Sequence, residues 1–166
     1  SLPDSKPAKD FSKGMKAKLA LATALAHRPR LLILDEATSG LDPVVRSEML
    51  DLFLEFIEDE THSILLSSHI TSDLEKIADY ITFLHEGKIV FSLQKDEMAA
   101  RYGVLKCGKA GAAGVDPRHI AGKRESRFDC EFLVDNREDP AYRGMLIEPA
   151  SIDDIMTFFA KGGGAQ

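Results

Sequence analysis

The hydrophobic pattern changes period several times along the chain. From Phe11 to His27 the sequence is rich in strong helix formers, with Ala17, Leu19, Ala20, Leu21, Ala22, Ala24 and Leu25 behind Ser12, a good N-cap. This predicts a helix that closes ahead of Pro29, because a proline disfavours helical geometry in the residue before it. Leu31-Leu32-Ile33-Leu34 is then a continuous aliphatic run that ends in Asp35-Glu36. Runs of this kind suit parallel strands covered on both faces. A polar loop, Ala37 to Asp42, leads to Pro43, which suits a first helical turn. Val45, Met49, Leu52, Phe53 and Phe56 then recur at helical spacing to about Glu58.

Ser63 to Ser67 is a second short apolar strand, followed by the turn Ser68-His69 and a short helix from Ser72 to Ala78. Tyr80 to Leu84 and Lys88 to Ser92 flank Glu86-Gly87, the pattern of a β-hairpin. The order helix–strand–helix–strand–helix–hairpin predicts an α/β layered domain with a mostly parallel sheet.

Composition shifts after about residue 100, where nine of the twelve glycines lie at or beyond Gly103. Val104 to Cys107, Phe128 to Val134 and Met145 to Ile147 are candidate strands, and Ile152 to Ala160 a final helix behind Ser151. We read residues 1–98 as one domain and 99–166 as a small α+β appendage with a flexible Gly162-Gly163-Gly164 tail. Ser1 to Asp10, with Pro3 and Pro7, reads as an extended lead-in or the severed end of something longer. There is no internal repeat.

A chain of 166 residues with 44% hydrophobic and 29% charged residues has the balance of a soluble globular protein. Its net charge of −6 argues against a general nucleic-acid surface, and no nucleic-acid partner is expected. The two cysteines, Cys107 and Cys130, lie far apart in sequence and outside any CxxC pattern. They read as partly buried thiols in a reducing cytoplasm. No apolar run approaches the roughly 20 residues that span a bilayer.

Chemistry concentrates at the strand ends. In open α/β sheets ligands sit beyond the carboxyl ends of the strands. Asp35 there can hold Mg²⁺, directly or through water, and Glu36 can orient or deprotonate a water. His69 stands just past the second strand, so the three can converge although far apart in sequence. Ser12-Lys13-Gly14-Met15-Lys16 lies at a helix N-terminus, where free N–H groups and the helix dipole favour an anion. Lys13 and Lys16 either add positive charge there or are simply solvated. Ser39-Gly40-Leu41-Asp42 is a tight polar turn.

These motifs, in this order and spacing, resemble the second half of an ATP-binding-cassette (ABC) ATPase. Ser12 to Lys16 resembles the signature motif, usually written LSGGQ. Leu31 to Glu36 resembles Walker B with its catalytic glutamate, Ser39 to Asp42 the D-loop, and His69 the switch histidine. The likeness spans residues 11 to 69 and continues through the hairpin to about residue 93; the signature variant is similar to those of bacitracin- and lantibiotic-type exporter ATPases. Ala37 stands where the family commonly has proline.

The resemblance implies a P-loop fold, ATP and Mg²⁺ as cofactors, and residue roles. Asp35 would hold Mg²⁺, usually through water. Glu36 would polarise the attacking water, and His69 would contact the γ-phosphate. Ser12 and Gly14 would bind the γ-phosphate of nucleotide held by a second ATPase protomer, and Asp42 would couple the two sites across the dimer. A membrane permease is the implied partner, with the protein cytoplasmic and peripheral on the inner face of the membrane. The motif GxxxxGK[ST] occurs nowhere in the sequence. The chain is therefore expected to be a C-terminal piece of a longer ATPase, inactive alone. Two other functions fit the same residues: an ABC protein of translation or DNA repair, and a non-catalytic regulatory or interaction module. The loose basic cluster Arg118, Lys123, Arg124 and Arg127 reads as solvated surface.

Overall fold

In the computed structural model the described residues are 7–108, 111, 115, 118, 120–126 and 129–161. Residues 1–6 of the lead-in, Arg127, Phe128 and the Gly162-Gly163-Gly164 tail lie outside them. Among the described residues no helix is long and apolar enough to cross a membrane. The chain divides into two compact units, Ser1–Ile77 and Ala78–Gln166.

The first unit begins with α1 (Lys13–Leu25), β1 (Leu31–Asp35), α2 (Pro43–Ile57), β2 (Ser63–Ser67) and α3 (Thr71–Ile77). Strands β1 and β2 pair in parallel, from Leu31 opposite Ser63 to Asp35 opposite Ser67. A parallel pair needs a crossover connection, and α2 supplies it. Leu32, with Leu34 and Ile64, packs against Leu21 of α1 and Met49, Leu50 and Phe53 of α2. Phe53 is fully buried. Alternate side chains point the other way, and Leu31, Ile33 and Leu65 are 52, 71 and 62% exposed. The aliphatic run predicts a strand covered on both faces; here one face carries the core and the other stays open.

Both main helices start on side-chain caps. Ser12 Oγ accepts from Met15 N–H at 3.3 Å. Asp42 Oδ1 accepts from Val44 and Val45 N–H at 3.2 and 3.1 Å, with Pro43 in the first turn.

The second unit holds β3 (Tyr80–His85), β4 (Lys88–Gln94), α4 (Lys95–Arg101), β5 (Tyr102–Gly108), β6 (Ile120–Glu125), β7 (Asp129–Asp135), β8 (Ile147–Pro149) and α5 (Ile152–Lys161). The β3–β4 hairpin turns through Glu86 and Gly87, both at positive φ (48° and 75°), which suits the twist of a two-residue hairpin loop. Strands β6-β7-β5-β8 form an antiparallel sheet around Leu105, Cys130, Phe132 and Val134. Ser151 opens α5 in a capping box, exchanging hydrogen bonds with Asp154. Phe158 is fully buried, and Gly122 gives it room: a β-carbon there would sit 3.1 Å from the ring.

Among the described residues β1 and β2 pair in parallel and the other strands pair antiparallel. Helix α4 runs without a linker from β4 into β5 and buries Met98. Helix α4 and strand β6 had no hydrophobic period to betray them: each buries a single residue, Met98 and Gly122.

Candidate functional site

The carboxyl ends of β1 and β2 bring Asp35, Glu36 and His69 to one edge of the first unit. Asp35 pairs with Ser67 across the parallel ladder, and Ser67 Oγ donates to Asp35 Oδ1 at 2.5 Å. The same hydroxyl accepts from Glu36 N–H at 3.1 Å, a donor shared with the Ser67 carbonyl at 3.1 Å. Ser67 thus fixes both acids.

Glu36 adopts φ +49°, a left-handed conformation that costs a residue with a β-carbon about 1–2 kcal/mol. The chain turns sharply there, and Ser39 N–H closes the turn onto the Glu36 carbonyl at 3.0 Å. The turn directs Glu36 towards the segment after β2, where His69 Nδ1 lies 2.6 Å from Glu36 Oε2. Glu36 Oε2 is itself shielded from water and forms no hydrogen bond. The side chains are 40% and 68% exposed, so the pair is open to an incoming group.

The other sequence-predicted residues have structural duties as well. Asp42 is occupied as the cap of α2. Gly14 is buried in the first turn of α1, and a β-carbon there would meet Val45 Cγ1 at 3.0 Å. Its missing side chain therefore serves the α1–α2 contact. Gly40, at φ +64°, lies under Lys13 Nζ, which brings the signature-like segment against the turn before Asp42.

A polar network behind the acids was not singled out from sequence. Thr38 Oγ1 donates to Asp73 Oδ2 at 2.6 Å, both residues being 1% exposed. Arg46 approaches Asp73 Oδ1 through Nε at 2.7 Å and Nη2 at 2.5 Å, and Nη2 also donates to Ser72 Oγ at 2.7 Å. The only available signal was spacing, since Arg46 and Asp73 each stand four residues after a motif residue, Asp42 and His69. In the second unit, Arg124 stacks on the Phe158 ring at 4.1 Å and pairs with Glu131 at 3.0 Å, while Lys123 pairs with Glu125. Lys123 and Arg124 of the basic cluster thus each have a carboxylate partner.

The chain shares the α/β P-loop fold of ABC transporter ATPases. A solved inward-facing ABC transporter, described as metal-chelate type, matches 79% of this chain and 50% of its own, with a TM-score of 0.51 at 16% identity. The lantibiotic transport ATP-binding protein SrtF of Streptococcus pyogenes is 45% identical over 93 residues, 56% of this chain and 40% of that protein. The bacitracin transport ATP-binding protein BcrA of Bacillus licheniformis is 43% identical over 91 residues, 55% of this chain and 30% of its own. A family model described as "AAA domain, putative AbiEii toxin, Type IV TA system" matches residues 6–72. Over about half its length the chain is thus homologous to transport ATP-binding proteins, and it spans less than half the length of these relatives.

Proposed function

We propose that the chain is the signature-to-switch part of the energy-coupling ATP-binding subunit of an ABC exporter, of the kind that moves peptide antibiotics. The observation that carries this is the 2.6 Å approach of His69 to Glu36 at the ends of paired parallel strands. Phosphoryl transfer asks mainly for positioning and charge stabilisation, and this edge supplies both. Glu36 polarises the attacking water, and His69 contacts the γ-phosphate. Asp35 suits Mg²⁺, which keeps several waters and takes one or two carboxylates. Its exposed position and its Ser67 bond fit such a hydrated ion. Bound Mg²⁺ would neutralise charge on the phosphates.

Ser12 and the backbone at Gly14 bind the γ-phosphate of nucleotide held by a second protomer, identical or homologous, and Asp42 lies at that contact. A membrane permease is the further partner and holds the assembly on the inner face of the membrane. The open apolar face of β1 and β2 supports completion by more of an ATPase domain, because parallel strands are normally covered on both faces. The phosphate-binding loop GxxxxGK[ST] belongs to that completing segment.

Two preparations test the reading. The 166-residue chain alone should give no ATP turnover above its own Glu36→Gln variant. A polypeptide in which the chain follows a phosphate-binding loop should bind ATP, and with Glu36→Gln it should accumulate as an ATP-dependent dimer seen by light scattering. Turnover by the chain alone, or a Glu36→Gln protein that stays monomeric with ATP, would contradict the proposal.

A further inference from the structure

Helix α3 carries His69 at its entrance, and its anchoring is unusual. It has seven residues, too few to hold a helix by itself. Its one buried residue is charged: Asp73, 1% exposed. A buried carboxylate is tolerated only when paired and hydrogen-bonded, and the partners of Asp73 come from the two other pieces of the site. Thr38 lies two residues beyond Glu36, on the turn that holds Glu36 at φ +49°. Arg46 lies on α2, one turn beyond the Asp42 cap. Asp73 therefore ties the Glu36 turn, the start of α2 and the His69 segment to one carboxylate.

We propose that Asp73, through Thr38 and Arg46, is the positioning residue that holds His69 in register with Glu36. Directional bonds suit this task better than an apolar contact, which tolerates sliding by a fraction of an ångström. The exposed pair Lys76–Asp51, at 2.7 Å, also joins α3 to α2. It is solvated on both sides and contributes little. The mechanical link is the buried one. The importance of this link for hydrolysis rests on the function proposed above; its existence does not.

The test reads communication between Glu36 and His69 by NMR of the imidazole in the full 166-residue chain, assigned with His69→Gln. Glu36→Gln should move the His69 ring signals in the parent background. In Asp73→Asn that response should shrink at least about threefold, and in Thr38→Val by an intermediate amount. Lys76→Ala should leave it whole. Thr38→Val retains the Asp73–Arg46 pair and decides the matter should Asp73→Asn lose its helical circular dichroism. An unmoved His69 signal on Glu36→Gln, or a full response in Asp73→Asn and Thr38→Val, would overturn the proposal. So would an equal loss in Lys76→Ala. In the polypeptide carrying a phosphate loop, Asp73→Asn should lower kcat about tenfold with ATP affinity within about twofold. Lost communication with an unchanged kcat would leave Asp73 as the link and overturn instead the assignment of Glu36 and His69 to hydrolysis.

Discussion

Glu36 is held at φ +49° by hydrogen bonds from its own N–H to Ser67 and from Ser39 to its carbonyl. A left-handed residue with a β-carbon is strained, and asparagine populates that region several-fold more readily than most residues. An enrichment of about fivefold corresponds to about 1 kcal/mol, since RT is about 0.6 kcal/mol. Glu36→Asn and Glu36→Gln both remove the carboxylate that faces His69, a half-exposed pair worth at most about 1 kcal/mol. They differ in backbone preference. Glu36→Asn should therefore be more stable than Glu36→Gln by about 1 kcal/mol. Hydrogen exchange at the buried core of α2 reads this within the first unit: the amides of Leu50 and Phe53 should be protected about fivefold more in Glu36→Asn. Equal protection, or less in Glu36→Asn, would refute the claim that the turn stores strain at the acid. A confirmed gain would mean that glutamate is kept here at a cost in stability, as expected of a residue placed for chemistry.

Other consequences follow from the packing and the caps. Phe53→Ala removes a fully buried ring between α1, α2 and β1 and should cost about 3–5 kcal/mol, seen as collapse of hydrogen-exchange protection in the first unit. Asp42→Ala frees the Val44 and Val45 amides and should cost about 1–2 kcal/mol in chemical denaturation, with early exchange at those two positions. Cys107 and Cys130 are free thiols directly opposite each other on β5 and β7. Cross-strand Cα separations of about 4.5–5.5 Å fall within the range that a disulfide spans. A small disulfide reagent should link them, each molecule of reagent leaving as two thiols, and mass spectrometry of the linked peptide checks the register. Burial, then the neighbouring Cys130 and Asp129, push the Cys107 thiol up, so its alkylation at pH 8 should be slower than that of a free cysteine and should rise at higher pH.

Much of the first unit was legible because its elements announce themselves chemically. Ser12, Asp42 and Pro43 mark helix starts, and the run Leu31 to Leu34 could only be a strand or a buried helix segment, too short for the latter. The convergence of Asp35, Glu36 and His69 followed from one rule about parallel strands, and the 2.6 Å contact agrees with it. The second unit was less legible. β6 reads Ile-Ala-Gly-Lys-Arg-Glu and lies at a sheet edge, where polar residues are tolerated, so its pattern is that of a loop. α4 is a seven-residue helix whose single buried residue is Met98. β8 lies at Ile147–Pro149, past the expected Met145 to Ile147, because its pairing with Gly103–Leu105 sets its place.

The Asp73 network was invisible for a different reason. Thr38, Arg46 and Asp73 are ordinary surface residue types in sequence, and only the fold brings them together and buries Thr38 and Asp73.

The central claim is that Glu36, set against His69, activates water for ATP hydrolysis. Single-turnover hydrolysis, in a polypeptide that joins this chain to a phosphate-binding loop, tests it most directly. Glu36→Gln should slow the chemical step by about 100-fold or more, the usual worth of a general base, with ATP affinity within about twofold of the parent. Hydrolysis at the parent rate in Glu36→Gln would contradict the account.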